Sequence, residues 1–205
     1  MEKFKIEIEY IASNVTYKAK KLSTPHLEIH AEAYKNHIKL LLNPKEPIKI
    51  KKLSVLLSRH FHSSDRIFLN GYQSWTESKE HFIDDNPSYL HPLASPIIEN
   101  TSFSASGDYN FVKYEKRKGC FHGFSYGYIR KEDTVTLYAS LNERTGFTIF
   151  RFLCPDNLIR IEKDLEGVEI KDSYTILDFV ELTGPMHSVF DQWLTLLDIK
   201  PPTAK

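Results

Sequence analysis

The stretch "FKIEIEY", residues 4 to 10, sets the fold class of this chain. Its four apolar residues occupy the even positions, while Lys5, Glu7 and Glu9 occupy the odd ones. Because neighbouring side chains of a strand point to opposite faces, this period of two predicts a strand with one buried and one solvated face. Such strands are typical of an antiparallel sheet that packs a core on one side only.

Similar runs recur along the chain and are separated by turn signals such as Asn43-Pro44 and Thr145-Gly146. Many short strands with turn-length gaps predict a mainly β protein, a large antiparallel β-sandwich. Beyond the first strand, the predicted strands are 27–33, 38–42, 48–57, 123–130, 134–141, 147–153, 158–163 and 174–182.

The C-terminal segment has a different period. Between a Gly-Pro pair and a Pro-Pro pair, apolar residues fall at helical spacing: Met186, Val189, Phe190, Trp193, Leu194 and Leu197. We therefore predict one C-terminal helix, followed by a proline-rich linker of the kind that separates domains. The predicted organisation is a β-sandwich domain over residues 1–183 and a helix with linker over residues 184–205.

Composition excludes several classes of function. The chain has 27 basic and 27 acidic residues, so no excess charge favours nucleic acid or an anionic membrane as a partner. Neither an apolar leader nor a run of about 18 apolar residues is present, which predicts a cytoplasmic protein unless a leader was removed. The two cysteines, Cys120 and Cys154, are too few for a disulfide scaffold and are predicted to be buried thiols.

A long stretch from residue 70 to about residue 110 lacks regular alternation but is rich in aromatic residues. Connections of this length in a compact domain are usually functional or disordered, and aromatic residues argue against disorder.

This long stretch begins with Asn70, Tyr72, Gln73, Ser74 and Trp75, just after an apolar run. Rings that stack on the C–H faces of a sugar, beside amides that bind its hydroxyls, are the side chains of a carbohydrate site. Core packing of Trp75 is the alternative.

The sequence gives only weak support for any group of catalytic or metal-binding residues. The neighbouring carboxylates Asp84 and Asp85 are typical of a turn, since nothing gives them different environments. His60 and His62 would share one face of a strand, but no third ligand follows at a suitable spacing, so no metal site is predicted. The "GFSYG" of residues 123–127 lacks the strand–turn–helix context of a nucleophile elbow and is interpreted as a strand whose glycines admit rings. No phosphate loop or dinucleotide fingerprint is present, so no cofactor is expected.

The segment "NGYQSW", residues 70–75 and called the signature segment below, resembles a motif in the N-terminal domain of bacterial α-galactosidases of glycoside hydrolase family 36. All six of its positions match the motif. The rest of the chain is similar only in layout: a strand-rich opening, a long connection, more strands, and "FDQWL" at 190–194 in a helix before a linker.

The resemblance implies an N-terminal β-sandwich of the supersandwich type, followed by a (β/α)8 barrel that carries both catalytic aspartates of a retaining glycosidase. This chain ends before any barrel strand, so it is expected to hold no catalytic residue and to be inactive alone. By the resemblance, Asn70, Tyr72, Gln73 and Trp75 are expected at the rim of an α-galactoside pocket. The helix is expected to pack on the barrel through Met186, Val189, Phe190, Trp193 and Leu197, and the resemblance also allows a homo-oligomer.

Two other functions remain open from the sequence. A stand-alone carbohydrate-binding β-sandwich would use the same aromatic and amide side chains in a preformed groove. A structural or partner-binding sandwich would place Trp75 in the core.

Overall fold

The computed structural model of the protein describes residues 4–71, 78–86, 117–144, 146–163, 165 and 167–197. This part is mainly β, with fourteen strands and one α-helix. The strands are β1 (Lys5–Ala12), β2 (Val15–Ala19), β3 (Leu27–Tyr34), β4 (His37–Pro44), β5 (Ile48–Ser58), β6 (Arg66–Leu69), β7 (Lys79–Phe82), β8 (Cys120–Phe124), β9 (Tyr126–Lys131), β10 (Thr134–Ser140), β11 (Thr148–Leu153), β12 (Leu158–Lys163), β13 (Glu169–Ile170) and β14 (Tyr174–Pro185); the helix is α1 (Met186–Leu196).

The strands form two antiparallel seven-stranded sheets. The first has the order β2-β1-β5-β12-β11-β8, with β13 also paired to β5, and the second has the order β3-β4-β14-β10-β9-β6-β7. The main core contains side chains from both sheets, among them Leu53, Phe150 and Phe179, so the sheets pack face to face. Each fully buried side chain of this size contributes about 1.5–3 kcal/mol. The predicted β-sandwich with one C-terminal helix is confirmed.

The first strand has the two faces that its sequence predicts. Ile6, Ile8 and Tyr10 are buried in the core, whereas the glutamates between them face solvent. Glu9 forms ion pairs with Lys18 at 3.2 Å and with Lys51 at 3.6 Å. The lysines near residue 18 therefore belong to a solvated sheet face.

The predicted strand 123–130 is wrong, because this segment contributes to both sheets. β8 belongs to the first sheet and β9 to the second, and the chain passes between them at Ser125, whose φ is +65°. The Ser125 N–H donates to Thr148 O at 2.9 Å, and its carbonyl accepts from Ser140 at 2.8 Å. Core-facing residues occupy odd positions on both sides of the crossing, so the alternation in the sequence continues across it.

The region from residue 70 to residue 110 is not free of regular structure. β7 pairs antiparallel with β6, with Leu69 opposite Lys79 and Arg66 opposite Phe82. The segment between Leu69 and Lys79 thus connects two paired strands. Residues 72–77 and 87–116 lie outside the described part, as does the predicted linker at 198–205.

The helix begins at Met186, directly after the Gly-Pro pair as the sequence predicts, and β14 continues to Pro185. It packs on the outer face of the second sheet, where Val189 joins a smaller cluster with Val135, Leu137 and Val180. Within the described residues, no helix reaches the length and apolarity needed to cross a membrane.

Both cysteines are buried thiols, as predicted. Burial raises the pKa of the Cys154 thiol to about 12. Arg117 lies beside Cys120, with its Nε 3.1 Å from Sγ. A thiol whose pKa is raised in this way is a poor nucleophile at neutral pH, so Cys154 has a packing role.

Candidate functional site

The start of the signature segment is fixed to the opposite sheet by Asn70. Asn70 follows the last residue of β6, and its backbone carbonyl accepts a hydrogen bond from the Phe124 N–H at 2.9 Å. Its side-chain Nδ2 donates to the Phe124 carbonyl at 3.3 Å. One asparagine therefore satisfies both backbone groups of Phe124, the last residue of β8, and joins the two sheets at this point.

Ser78 links the two ends of the connection between β6 and β7. The Gly71 N–H donates to Ser78 Oγ at 3.1 Å, and this hydroxyl lies 3.5 Å from Asn70 Oδ1. An amide has two N–H donors and two acceptor lone pairs, so Asn70 retains one donor and one lone pair. The predicted contact of Asn70 with a sugar remains a prediction, while its structural contacts are clear.

Tyr72, Gln73 and Trp75 lie outside the described residues, and so does Ser74. Their expected contacts with a galactoside remain predictions from the sequence. The described residues on either side of them are Gly71 and Ser78.

Gly123 permits the close approach of β6 to β8. A Cβ atom at this position would lie 3.0 Å from the Asn70 nitrogen and 3.2 Å from Leu69 Cβ. Gly127, on β9, permits the close approach of the Phe152 ring from the first sheet, since a Cβ atom at Gly127 would lie 2.9 Å from this ring. The interpretation of "GFSYG" as strand whose glycines admit rings is confirmed at Gly127, although the segment is two strands and not one.

A group of rings lies on the outer face of the second sheet. We call this group the outer aromatic cluster; its members are Phe68, Tyr126, Tyr128, Phe190 and Trp193. Phe68 and Tyr128 stack at 4.9 Å between centroids, and Tyr126 lies 5.1 Å from Trp193. The Trp193 Nε1–H donates to the Ser140 carbonyl at 3.0 Å, which orients the indole. Sequence reasoning missed this cluster, because its members come from three segments far apart in the chain.

A carboxylate completes the outer aromatic cluster on the side of β7. Glu80 Oε1 accepts from Tyr128 at 2.9 Å and from Arg130 Nε at 2.8 Å, and Oε2 pairs with the terminal guanidinium nitrogen of Arg130. The hydrogen bonds from Arg130 hold the pKa of Glu80 below its usual range, while burial raises the pKa of Tyr128 above its usual range. Glu80 is therefore ionised near neutral pH and does not act as a general acid.

The helix residues predicted to contact a second domain divide into two groups. Val189 is fully buried on the chain's own sheet, and Phe190 and Trp193 are partly buried against the same cluster. Met186 is 39% exposed and Leu197 is half-buried. Two apolar residues that the prediction did not include, Leu194 and Leu196, are 41% and 52% exposed. The role of the helix in contacting a further domain remains a prediction.

Of the weak catalytic candidates, Asp85 has a structural role. Asp85 forms a turn, because its carboxylate accepts from the Phe82 N–H at 2.9 Å and its own N–H donates to the Phe82 carbonyl at 3.0 Å. The rings of His60 and His62 are perpendicular, with 4.7 Å between their centroids. In the part of the chain that the structure describes, no three His, Cys, Asp or Glu side chains are grouped so as to hold a metal ion.

The fold and these contacts define the chain as an antiparallel β-sandwich with a C-terminal helix docked on the second sheet. No protein-family model matches the chain, and no curated protein matches it.

Proposed function

We propose that this chain is the non-catalytic N-terminal β-sandwich domain of a retaining α-galactosidase that resembles glycoside hydrolase family 36. In this proposal the domain packs on a (β/α)8 barrel and contributes residues 70–75 to the rim of the substrate pocket. The observation that carries the proposal is the complete match of the signature segment, which begins the connection between two paired strands.

The geometry at the base of this connection supports such a role. A side chain that stacks on a sugar must be held in place, because ordering it on binding would lower the affinity. Asn70 ties the start of the connection to Phe124, and Ser78 ties its end to Gly71. A connection with both ends fixed is suited to present Trp75 as a stacking ring and Tyr72 and Gln73 as polar contacts.

Exposed apolar residues on α1 support a contact with a further domain. Met186, Leu194 and Leu196 are solvent-exposed on the last described element before the predicted linker. Burying apolar surface contributes about 25 cal/mol per Å². In the proposal, these residues contact the barrel, while Val189 and Trp193 hold the helix on the sandwich.

The proposal is tested by expressing the natural reading frame beyond residue 205 beside the 205-residue chain and assaying both on p-nitrophenyl α-galactoside. We expect activity only in the longer polypeptide, and a lower kcat/KM in its Trp75→Ala variant. The matched control is Tyr34→Ala, which removes a ring that is 72% exposed on β3.

A reading frame that ends at residue 205, or a longer polypeptide with no activity on α-galactosides, would overturn the proposal. Isothermal titration of the 205-residue chain with galactosides, glucans and mannans provides a second test. Saturable heat from one of these sugars would indicate a stand-alone carbohydrate-binding module instead.

A further inference from the structure

A second candidate site lies at the other end of β9 from the signature segment. A cavity of about 530 Å³ opens there, between the end of β5 and the turn that joins β9 to β10. Its volume falls within the range of about 300–1,000 Å³ that is usual for small-molecule pockets. The cavity is independent of the proposed glycosidase role, since none of its residues belongs to the signature segment or to the helix.

Hydroxyl groups line this cavity at positions that face the interior of the sandwich. Thr134 and Thr136 lie on the same face of β10 as Tyr138, which is part of the main core. Thr183, directly opposite Thr136 on β14, also lines the cavity, and the two hydroxyl oxygens are 3.2 Å apart. Thr136 is buried, whereas Thr134 and Thr183 are exposed, so the three hydroxyls make the open end of the sandwich polar.

Four cationic or titratable donors face the same space: Arg59, His60, His62 and Lys131. No side-chain nitrogen of these residues has a hydrogen bond or an ion pair with the described part of the chain. His60, His62 and Lys131 are solvent-exposed, but Arg59 is half-buried and its Nε is fully buried without a partner. A buried donor without an acceptor destabilises the fold.

Three other arginines of the protein have carboxylate partners that Arg59 lacks, while the buried Nε of Arg160 is, like that of Arg59, without a partner. Arg117 pairs with Asp156, Arg130 with Glu80 and Arg151 with Glu162. Arg59 has a planar fork of N–H donors, which suits a phosphate or carboxylate oxygen. Its lack of an acceptor is thus consistent with a ligand that supplies one.

The carboxylates at the cavity do not occupy these donors. Asp65 is buried, and its Oδ2 accepts from the His62 backbone N–H at 2.9 Å within a turn. Glu132 is exposed in the turn between β9 and β10, where its backbone carbonyl accepts from Arg130. Arg59 and Lys131 therefore remain available to an anion.

We propose that this cavity binds a small molecule that carries an oxyanion, either a phosphate or a carboxylate group. Arg59 and Lys131 bind the anionic group. The imidazoles of His60 and His62 and the three threonine hydroxyls bind further polar atoms of the same molecule. The opening between the two sheets and the lining of hydroxyls favour a compact, polar ligand over an apolar one.

Titration of the 205-residue chain with inorganic phosphate and, separately, with succinate tests this proposal. Sodium chloride holds the ionic strength constant, because salt screens such contacts. We expect saturable heat with at least one probe, and movement of the His60 and His62 ring signals in NMR spectra. Phosphate alone or succinate alone would identify the anionic group that the cavity selects.

The matched variants are Arg59→Gln and Arg144→Gln, since Arg144 is exposed in the segment between β10 and β11, away from the cavity. Arg59→Gln is expected to weaken binding about tenfold or more, as the loss of a hydrogen bond between charged groups does. Arg144→Gln is expected to leave it unchanged. If Arg59→Gln does not fold, Lys131→Gln, at an exposed residue, provides the same comparison. An absence of saturable binding with both probes, or equal affinities in cavity and control variants, would overturn the proposal.

Discussion

Asn70 and Phe124 are joined by two hydrogen bonds that link the two sheets of the sandwich. The Phe124 N–H donates to the Asn70 carbonyl at 2.9 Å, and Asn70 Nδ2 donates to the Phe124 carbonyl at 3.3 Å. The asparagine side chain thereby takes the place of a backbone N–H where β6 ends. The first residue of the signature segment has a structural role whether or not it also contacts a ligand.

Asn70→Ala is expected to destabilise the fold by about 1–3 kcal/mol, because it removes the side-chain hydrogen bond to the backbone carbonyl of Phe124, a buried residue. The free energy of unfolding in urea, measured by circular dichroism, checks this. The control is Asn36→Ala, at an exposed turn residue, which is expected to change the stability by less than about 0.5 kcal/mol. Equal effects of the two substitutions would show that the Asn70 amide contributes nothing to stability.

Gly127→Ala is expected to destabilise the protein by about 1–3 kcal/mol through overpacking. Its Cβ would lie 2.9 Å from the Phe152 ring and 3.0 Å from the Phe68 carbonyl. Gly184→Ala is the matched control, since its Cβ would lie at an ordinary 3.5 Å from Val189 Cγ1. We expect this control to be neutral or to stabilise by about 0.4–1 kcal/mol by restricting the unfolded chain. Thermal unfolding of both variants checks the order; a Gly127→Ala variant as stable as Gly184→Ala contradicts it.

Trp193 is partly buried against the second sheet, whereas Leu196 is exposed to solvent. Trp193→Ala removes a ring that contacts Tyr126 and donates to Ser140, so we expect a loss of about 2–4 kcal/mol in the free energy of unfolding. Leu196→Ala removes a side chain that is 52% exposed and is expected to leave stability within about 0.5 kcal/mol. In the proposed longer polypeptide, Leu196→Ala is expected to weaken the proposed contact of the helix with the barrel. A Leu196→Ala variant that destabilises the 205-residue chain as much as Trp193→Ala would contradict this division.

Glu80 is expected to contribute to the acid sensitivity of the fold. Arg130 holds the pKa of its carboxyl below the usual value in the folded state. A depressed folded-state pKa means that the stabilisation is complete above the unfolded-state pKa of about 4.3, and is lost as the pH falls through the folded-state value. Glu80→Gln should therefore reduce the fall in stability below about pH 4.5. Urea midpoints at a series of pH values check this, with Glu32→Gln, at an exposed residue of β3, as the control. Identical pH profiles for the wild type and Glu80→Gln would rule out this contribution.

The sequence by itself determines the class of fold and the faces of individual elements. The alternation over residues 4–10 predicts both the buried face of β1 and its glutamate face, because side-chain direction in a strand follows position alone. The spacing of Val189, Phe190 and Trp193 likewise predicts the apolar stripe of the helix, while the packing of this stripe on the second sheet is seen only in the structure. Even the thiol state of the two cysteines follows from their number and their apolar neighbours.

Only the tertiary structure decides where the chain changes sheets and which distant residues meet. The crossing at Ser125 leaves the alternation unbroken, so local periodicity cannot reveal it. The contact of Asn70 with Phe124 spans 54 positions, and the cavity beside Arg59 combines residues of the segment after β5 with residues of β9, β10 and β14. Such contacts depend on strand order and register, which arise from the packing of the whole core and leave no periodic signal in any one segment.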